Sequence, residues 1–225
     1  MSAIFEGRLS DSPFIHMLWR GRVLNDYSPV CAADARWNLL FTRRNGRVAV
    51  SVEGPTTQFV PKDQFEGSEF FVIKFNLGSY MPVLPVSHLL NGDTILPEGS
   101  GKSFWLNGAA LQFPDFDNAE AFVDRLVREG MLVRDPVVDA VLQAQPQAMS
   151  SRTVRRRFLA ATGLTPKAIQ QIERAQQAAA LLEQGVSILE AVQAAGYADQ
   201  PHMTRSLRRF YGQTPAQIAQ VKSSE

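Results

Sequence analysis

The chain has 225 residues, 45% of them hydrophobic, and a net charge of +1. That length suggests one large or two small domains with real cores, and the near-neutral charge does not by itself announce a nucleic-acid binder. The single cysteine, Cys31, excludes a disulfide framework, a zinc-ligand cluster and a paired redox motif within one chain.

The opening residues, MSAIFEGRLSDSPF, place no long apolar run behind a basic region. No stretch approaches the roughly eighteen apolar residues of a membrane span, so a cytoplasmic protein without a membrane partner is expected. Residues 1–115 hold ten of the 14 Phe and all three Trp. Aromatic and β-branched runs broken by turn signals predict strands near 15–23, 37–42, 48–53, 69–75 and 103–106. Arg44-Asn45-Gly46 predicts a hairpin between the second and third, because Asn-Gly favours a type I′ turn. A small barrel or sandwich is the expected outcome. The segment 81–90, MPVLPVSHLL, has two prolines; it either crosses the mouth of the barrel or ends in a short helix.

This half offers little chemistry. Gly99-Ser100-Gly101-Lys102-Ser103 ends like a phosphate-binding loop, but Leu96 stands where that loop needs its first Gly. His16 and His88 are far apart with no local ligand pattern, so no metal is expected. No nucleophile-elbow spacing occurs, and neither catalytic residues nor a cofactor are expected. Trp19, Trp37, Phe75 and Trp105 are the candidates for an apolar effector pocket, against the alternative that they fill the core.

Residues 117–130 read as a helix with Asp117 and Glu120 as a capping box and Gly130 at its end. Asp135-Pro136 caps another helix, running to about residue 144. A repeat follows. Residues 150–169 (SSRTVRRRFLAATGLTPKAI) and 199–218 (DQPHMTRSLRRFYGQTPAQI) register at an offset of 49, with Gly163 on Gly212, Thr165 on Thr214 and Pro166 on Pro215. The same offset carries 123–125 onto 172–174, so the repeat is expected to reach the 117–130 helix. Each copy reads as an N-cap (Ser150 or Asp199), an apolar helix stripe, a glycine stop, and Thr-Pro opening a further helix. Gly185, the Ser187–Glu190 capping box and Gly196 complete the second unit. The offset puts Gln147, beside Pro146, opposite Gly196, so the first turn must be built differently. The helix at 166–182 joins the copies.

The remaining face of the first helix in each copy carries Arg152, Thr153, Arg155 and Arg156, then Gln200, His202, Thr204 and Arg205. Arg can bridge guanine O6 and N7, and Gln can bridge adenine N6 and N7, so these faces suit the major groove of double-stranded DNA. Arg157, Lys167, Arg208 and Arg209 are candidates for the DNA backbone. Residues 151–225 hold ten Lys or Arg against five Asp or Glu, and the rest 13 against 17, giving +5 and −4. The basic excess thus lies with the proposed reading helices.

RRRFLAATGLTP (155–166), QIERAQQAAALLEQGVSI (171–188) and AGYADQPHMTRSLRRFYGQTP (195–215) resemble the AraC/XylS family of bacterial transcription regulators. The resemblance implies a seven-helix module whose two recognition helices enter adjacent major grooves. It matches Arg152, Arg155, Arg156, Gln200, Pro201, Thr204 and Arg205 to base-facing positions, and Arg174 to a structural or phosphate-side role. Gly54-Pro55-x-Thr57, Phe75-x-x-Gly78, Leu84-Pro85 and 102–106 more weakly resemble the sensory domain of one AraC subgroup. That implies a β-rich, cupin-like fold. The expected whole is α+β: a β-rich sensory or dimerisation domain (1–114), then an all-α DNA-binding domain with two helix-turn-helix units (116–225). RNA polymerase, a small-molecule or protein effector and a second copy of the chain are further candidate partners. The competing readings are an enzyme with a cupin-like domain fused to a DNA-binding module, and a non-sensing architectural or antagonist protein.

Overall fold

A computed structural model describes residues 2–221; Met1 and residues 222–225 lie outside it. Strands β1 (Ala3–Leu9), β2 (Ile15–Val23), β4 (Asn38–Arg44), β5 (Arg47–Glu53), β7 (Glu69–Phe75) and β9 (Asp93–Ile95) form one antiparallel sheet in the order β1-β2-β7-β4-β5-β9. Two-stranded ladders pair β3 (Val30–Cys31) with β6 (Val60–Pro61), β10 (Ser103–Leu106) with β11 (Ala109–Gln112), and β8 (Ser79–Tyr80) with β12 (Val133–Arg134). Helices α1 (Ala119–Arg128), α2 (Pro136–Leu142), α3 (Ser151–Thr162), α4 (Pro166–Glu183), α5 (Ile188–Ala194), α6 (Gln200–Tyr211) and α7 (Pro215–Val221) follow.

Local sequence explains the sheet's centre. Asn45 and Gly46 have φ of 51° and 77°, the paired positive values of a type I′ turn, and they close the β4–β5 hairpin in the expected place. Leu39 and Phe41 alternate with outward residues and face Val52 and Val50 across the ladder. They meet Leu18, Ile73, Phe75 and Phe104 in the first core. The segment 81–90 ends in a single 3-10 turn, Val86–Leu89, whose Val86 and Leu89 are buried. Ser103–Leu106 is strand β10, so the helix that must follow a phosphate-binding loop is a strand here.

Helix α1 departs from expectation. It was expected to open the DNA-binding domain, yet Ala119, Val123 and Leu126 are buried in the sheet's core, with Met131 and Leu132 beyond it. The division between the two cores therefore falls after Leu132 instead of near residue 115. The offset match of α1 to α4 does not extend to packing, because Ile172 of α4 lies in the second core. Nor does the Asp117–Glu120 capping box form. Asn118 is the N-cap and makes no side-chain cap bond. Glu120 instead accepts from Arg8 at 2.5 and 2.8 Å and from Ser10 at 3.0 Å, tying α1 to β1. This long-range bidentate ion pair outweighs a lone local cap bond.

The second core is helical, but Ala33 and Ala35 from the first half insert into it. The last carbonyls of any α-helix lack intrahelical partners. Those of α6 are met from the first half: Ala33 N–H donates to Phe210 O at 2.8 Å and Phe59 N–H to Arg209 O at 3.3 Å. Gln176 Nε2 donates to Ala33 O at 3.0 Å, and Arg36 reaches Glu173 at 3.4 Å. The sheet half thus braces the C-terminal end of α6 and the middle of α4.

Candidate nucleic-acid interface

Two helix pairs stand out: α2 with α3, and α5 with α6. Each first helix has a side-chain N-cap, Asp135 onto Val137 N–H and Ser187 onto Glu190 N–H, the latter in a full capping box. Each second helix is likewise capped, Ser150 onto Thr153 N–H and Asp199 onto His202 N–H, and each ends at a left-handed glycine, Gly163 or Gly212. Thr165 then caps α4 ahead of Pro166. The caps of α3, α6 and α4 fall where the repeat places them.

The corner between the helices corrects the repeat. Tyr197 N–H bonds to Val192 O and Gly196 N–H to Gln193 O; Gln145 N–H bonds to Ala140 O and Ala144 N–H to Val141 O. These bonds are related by 52 residues, as are the caps Asp135 and Ser187, whereas α3 and α6 are related by 49. The residue equivalent to Gly196 is therefore Ala144, which holds φ of 54°, and not Gln147. The first turn carries three extra residues between its corner and its second helix. Matching at the single offset of 49 missed this because an insertion inside the turn shifts everything before it by three residues.

The N-terminal halves of α3 and α6 face outward. Arg152, Arg155 and Arg156 are exposed on α3, and Gln200, Pro201 and Arg205 on α6, with Thr204 half-buried. Among the described residues no carboxylate pairs with any of these arginines. Their charge is left uncompensated toward solvent, as an anion-binding surface requires. Thr153 and His202 are less free. The Thr153 hydroxyl lies 3.0 Å from Ser150 Oγ, and the half-buried His202 ring stands edge-on to Tyr197 at 5.1 Å.

Among the expected backbone contacts, Lys167, Arg208 and Arg209 are exposed, and Arg209 lies over the Phe210 ring at 4.9 Å. Arg157 is instead engaged within the chain. Its Nε and Nη2 donate to the two carboxylate oxygens of Asp135 at 2.9 and 2.7 Å. Its Nη1 meets Met149 Sδ at 3.4 Å. The Asp135 side chain is 8% exposed and also caps α2. Arg157 is thus the strut joining the cap of α2 to α3, because a nearly buried carboxylate recruits the nearest guanidinium.

A groove of about 690 Å³ runs between α4 and α6. Lys167, Gln170, Gln171 and Arg174 line it from one side, and Tyr197, His202, Arg205, Ser206 and Arg209 from the other. Among the described residues, four cations and no carboxylate line it. Arg174 is exposed, with its guanidinium 5.6 Å from the Tyr197 ring, and among the described residues it makes no buried salt bridge. Tyr197 donates to Ser206 Oγ at 2.8 Å, and burial raises its phenol above the usual range. Gln170 and Gln171 were missed from sequence, although Lys167, Gln170, Gln171 and Arg174 follow the i, i+3, i+4, i+7 spacing of one helix face.

The aromatic effector candidates do not converge. Trp37 and Phe75 are stacked at 4.0 Å in the first core, and Trp37 Nε1 donates to Ser79 O at 2.6 Å. Trp19 follows inward Leu18 on β2, so it lies on the opposite sheet face, under Lys74 Nζ at 4.9 Å. Trp105 is 45% exposed. This half does carry a cleft of about 750 Å³, walled by Phe41, Phe71, Phe113 and Phe116 and edged by Arg20, Arg22, Arg43, Glu6 and Glu69. Period-two alternation could have grouped Phe41 and Phe71, but not the Phe113–Phe116 wall that arrives from far along the chain. No helix among the described residues is long and apolar enough to cross a membrane.

A family model described as a helix-turn-helix domain matches residues 144–220. No curated protein matches the chain. Among solved structures, the chain is similar to ToxT from Vibrio cholerae O395, at 9% identity over 100% of this chain and 99% of that one, with a TM-score of 0.41. A second structure of ToxT from Vibrio cholerae is 8% identical over 96% and 97% of the two chains, with a TM-score of 0.38. With the matched model spanning the corner Ala144, both capped outward helices and the spacer between them, residues 144–220 form a helix-turn-helix domain.

Proposed function

We propose that the chain is a sequence-specific transcription regulator that reads double-stranded DNA with α3 and α6. The observation that carries this is the pairing of two like-capped helices, each presenting uncompensated polar and basic residues, on one continuous spacer. Helix α4 has 18 residues, about 27 Å at 1.5 Å rise. A rigid spacer of that order suits two reading helices in successive major grooves, about 34 Å apart. Arg152, Arg155 and Arg156 then read one end of an asymmetric site and Gln200, Pro201, Thr204 and Arg205 the other. Thr153 and His202 hold the helix starts. Lys167, Arg174, Arg208 and Arg209 take phosphates, the α4–α6 groove following the backbone between the two major-groove entries.

The cleft under Phe113 and Phe116 is the proposed effector site of the first half, since ligand sites are concave and mostly apolar with a few polar groups at the edge. The bracing of α6 by Ala33 and Phe59 is the route by which an effector would be felt at the DNA. Selection of bound sequences by wild type and Arg205→Ala tests the base assignment. Arg205→Ala should cost about 1–3 kcal/mol and relax preference at one end of a site of about two helical turns. A uniform loss across all sequences would remove Arg205 from base reading.

A further inference from the structure

We propose that β1 is a self-pairing edge through which two copies of this chain join their sheets. The inference is independent of the DNA-binding reading. Strand β1 ends the six-stranded sheet and, among the described residues, pairs with β2 alone. Its pairing runs unbroken from Ala3 opposite Val23 to Leu9 opposite Met17. Edge strands left in solution are normally short, bulged, charged or interrupted by proline, because the backbone groups on the unpaired side invite another strand. This one has neither proline nor bulge, and its two charges, Glu6 and Arg8, are already paired within the chain. It also exposes three large apolar side chains, Ile4 at 56% and Phe5 and Leu9 at 71% each.

The order of residues names the occupant. Along β1, Phe5, Gly7 and Leu9 share one face while Ile4, Glu6 and Arg8 share the other. A two-fold axis through Gly7 sets Phe5 opposite Leu9 of the second copy and Glu6 opposite Arg8 of the second copy, and the reverse. Apolar meets apolar and acid meets base, which is the self-complementarity that an isologous interface needs. An axis through Glu6 would instead oppose two glutamates, and an axis through Arg8 two arginines. Within one chain Glu6 already binds Arg20 at 2.5 Å, and Arg8 binds Glu120. The pairing therefore extends two existing ion pairs into alternating ladders across the junction. Cross-strand pairs of both kinds stabilise antiparallel sheets.

The full chain in a Cys31→Ser background is the material for the test. Light scattering should give a dimer mass for wild type and a monomer mass for Phe5→Lys, with unchanged helical circular dichroism. Residues directly opposite across an antiparallel pair bring their Cβ atoms to about 4.5–5.5 Å. A short bis-maleimide should therefore link Phe5→Cys chains to Leu9→Cys chains when the two are mixed, and link neither variant to itself. A monomeric wild type at every concentration overturns the proposal. So does a dimer that survives Phe5→Lys, or crosslinking within each single variant as readily as in the mixture.

Discussion

Exchanging the residues at the two helix-turn-helix corners tests the three-residue insertion directly. Ala144 holds φ of 54° and Gly196 φ of 69°. An L-residue in the left-handed region costs about 1–2 kcal/mol. Taking glycine out of the unfolded chain recovers about 0.4–1 kcal/mol. A Cβ on Gly196 meets nothing within 4 Å, so no clash enters the sum. Gly196→Ala should then destabilise by the difference, about 0.5–1 kcal/mol. Ala144→Gly should stabilise the protein by a similar amount, since it relieves the same strain and restores the same unfolded freedom. Urea unfolding followed by helical circular dichroism reads both as shifts of midpoint at common slope. Neither substitution touches a base-reading side chain, so the selected operator should not change. If Ala144→Gly lowered the midpoint, or Gly196→Ala left it in place, the corners would not be equivalent and the offset of 52 would be wrong.

Arg157→Ala should lower the melting temperature yet leave the salt dependence of DNA binding unchanged, whereas Arg209→Ala should reduce that slope by about one with little change in melting. The Arg8 guanidinium, bonded to Glu120, holds its carboxyl at about 2, below the ordinary value of 4.5. The folded value lies below the unfolded one, so this stabilisation is complete above pH 4.5 and is lost as pH falls toward about 2. For so solvent-accessible a pair it amounts to about 1 kcal/mol. The stability gap between wild type and Glu120→Gln should therefore be constant at neutral pH and close in acid; a pH-independent gap would exclude the linkage. Trp37→Ala should cost about 3–5 kcal/mol, because a fully packed ring is deleted from the core. Trp105→Ala should stay within about 0.5 kcal/mol in thermal or urea melts. Comparable costs at the two positions would contradict their placement.

Much of the DNA-binding half was legible in the sequence. Ser150, Thr165, Ser187 and Asp199 act on backbone groups three residues away, and Gly163, Gly212 and the Asn45-Gly46 pair answer to their own φ. Such interactions close within one turn of chain, so residue type and spacing determine them without knowledge of the fold. The outward faces of α3 and α6 followed from helical period for the same reason.

Only the tertiary structure decided which core α1 joins, since an amphipathic helix states that it has an apolar face but not what covers it. Arg157 was indistinguishable from its neighbours in the run 155–157 until Asp135, 22 residues away, was brought against it. The aromatic residues divided likewise: alternation put Leu18 and Trp19 on opposite faces of β2, but which face was covered depended on α1 and the β10–β11 hairpin, nearly a hundred residues on. The sequence by itself determined most features whose partners lie within a turn of one another, the exceptions being the Asp117–Glu120 box, where Arg8 claims Glu120, and the corner at Ala144; the allegiance of α1, the strut at Arg157, the cleft and the α4–α6 groove were settled by packing, because their energies belong to contacts between segments that the linear order keeps apart.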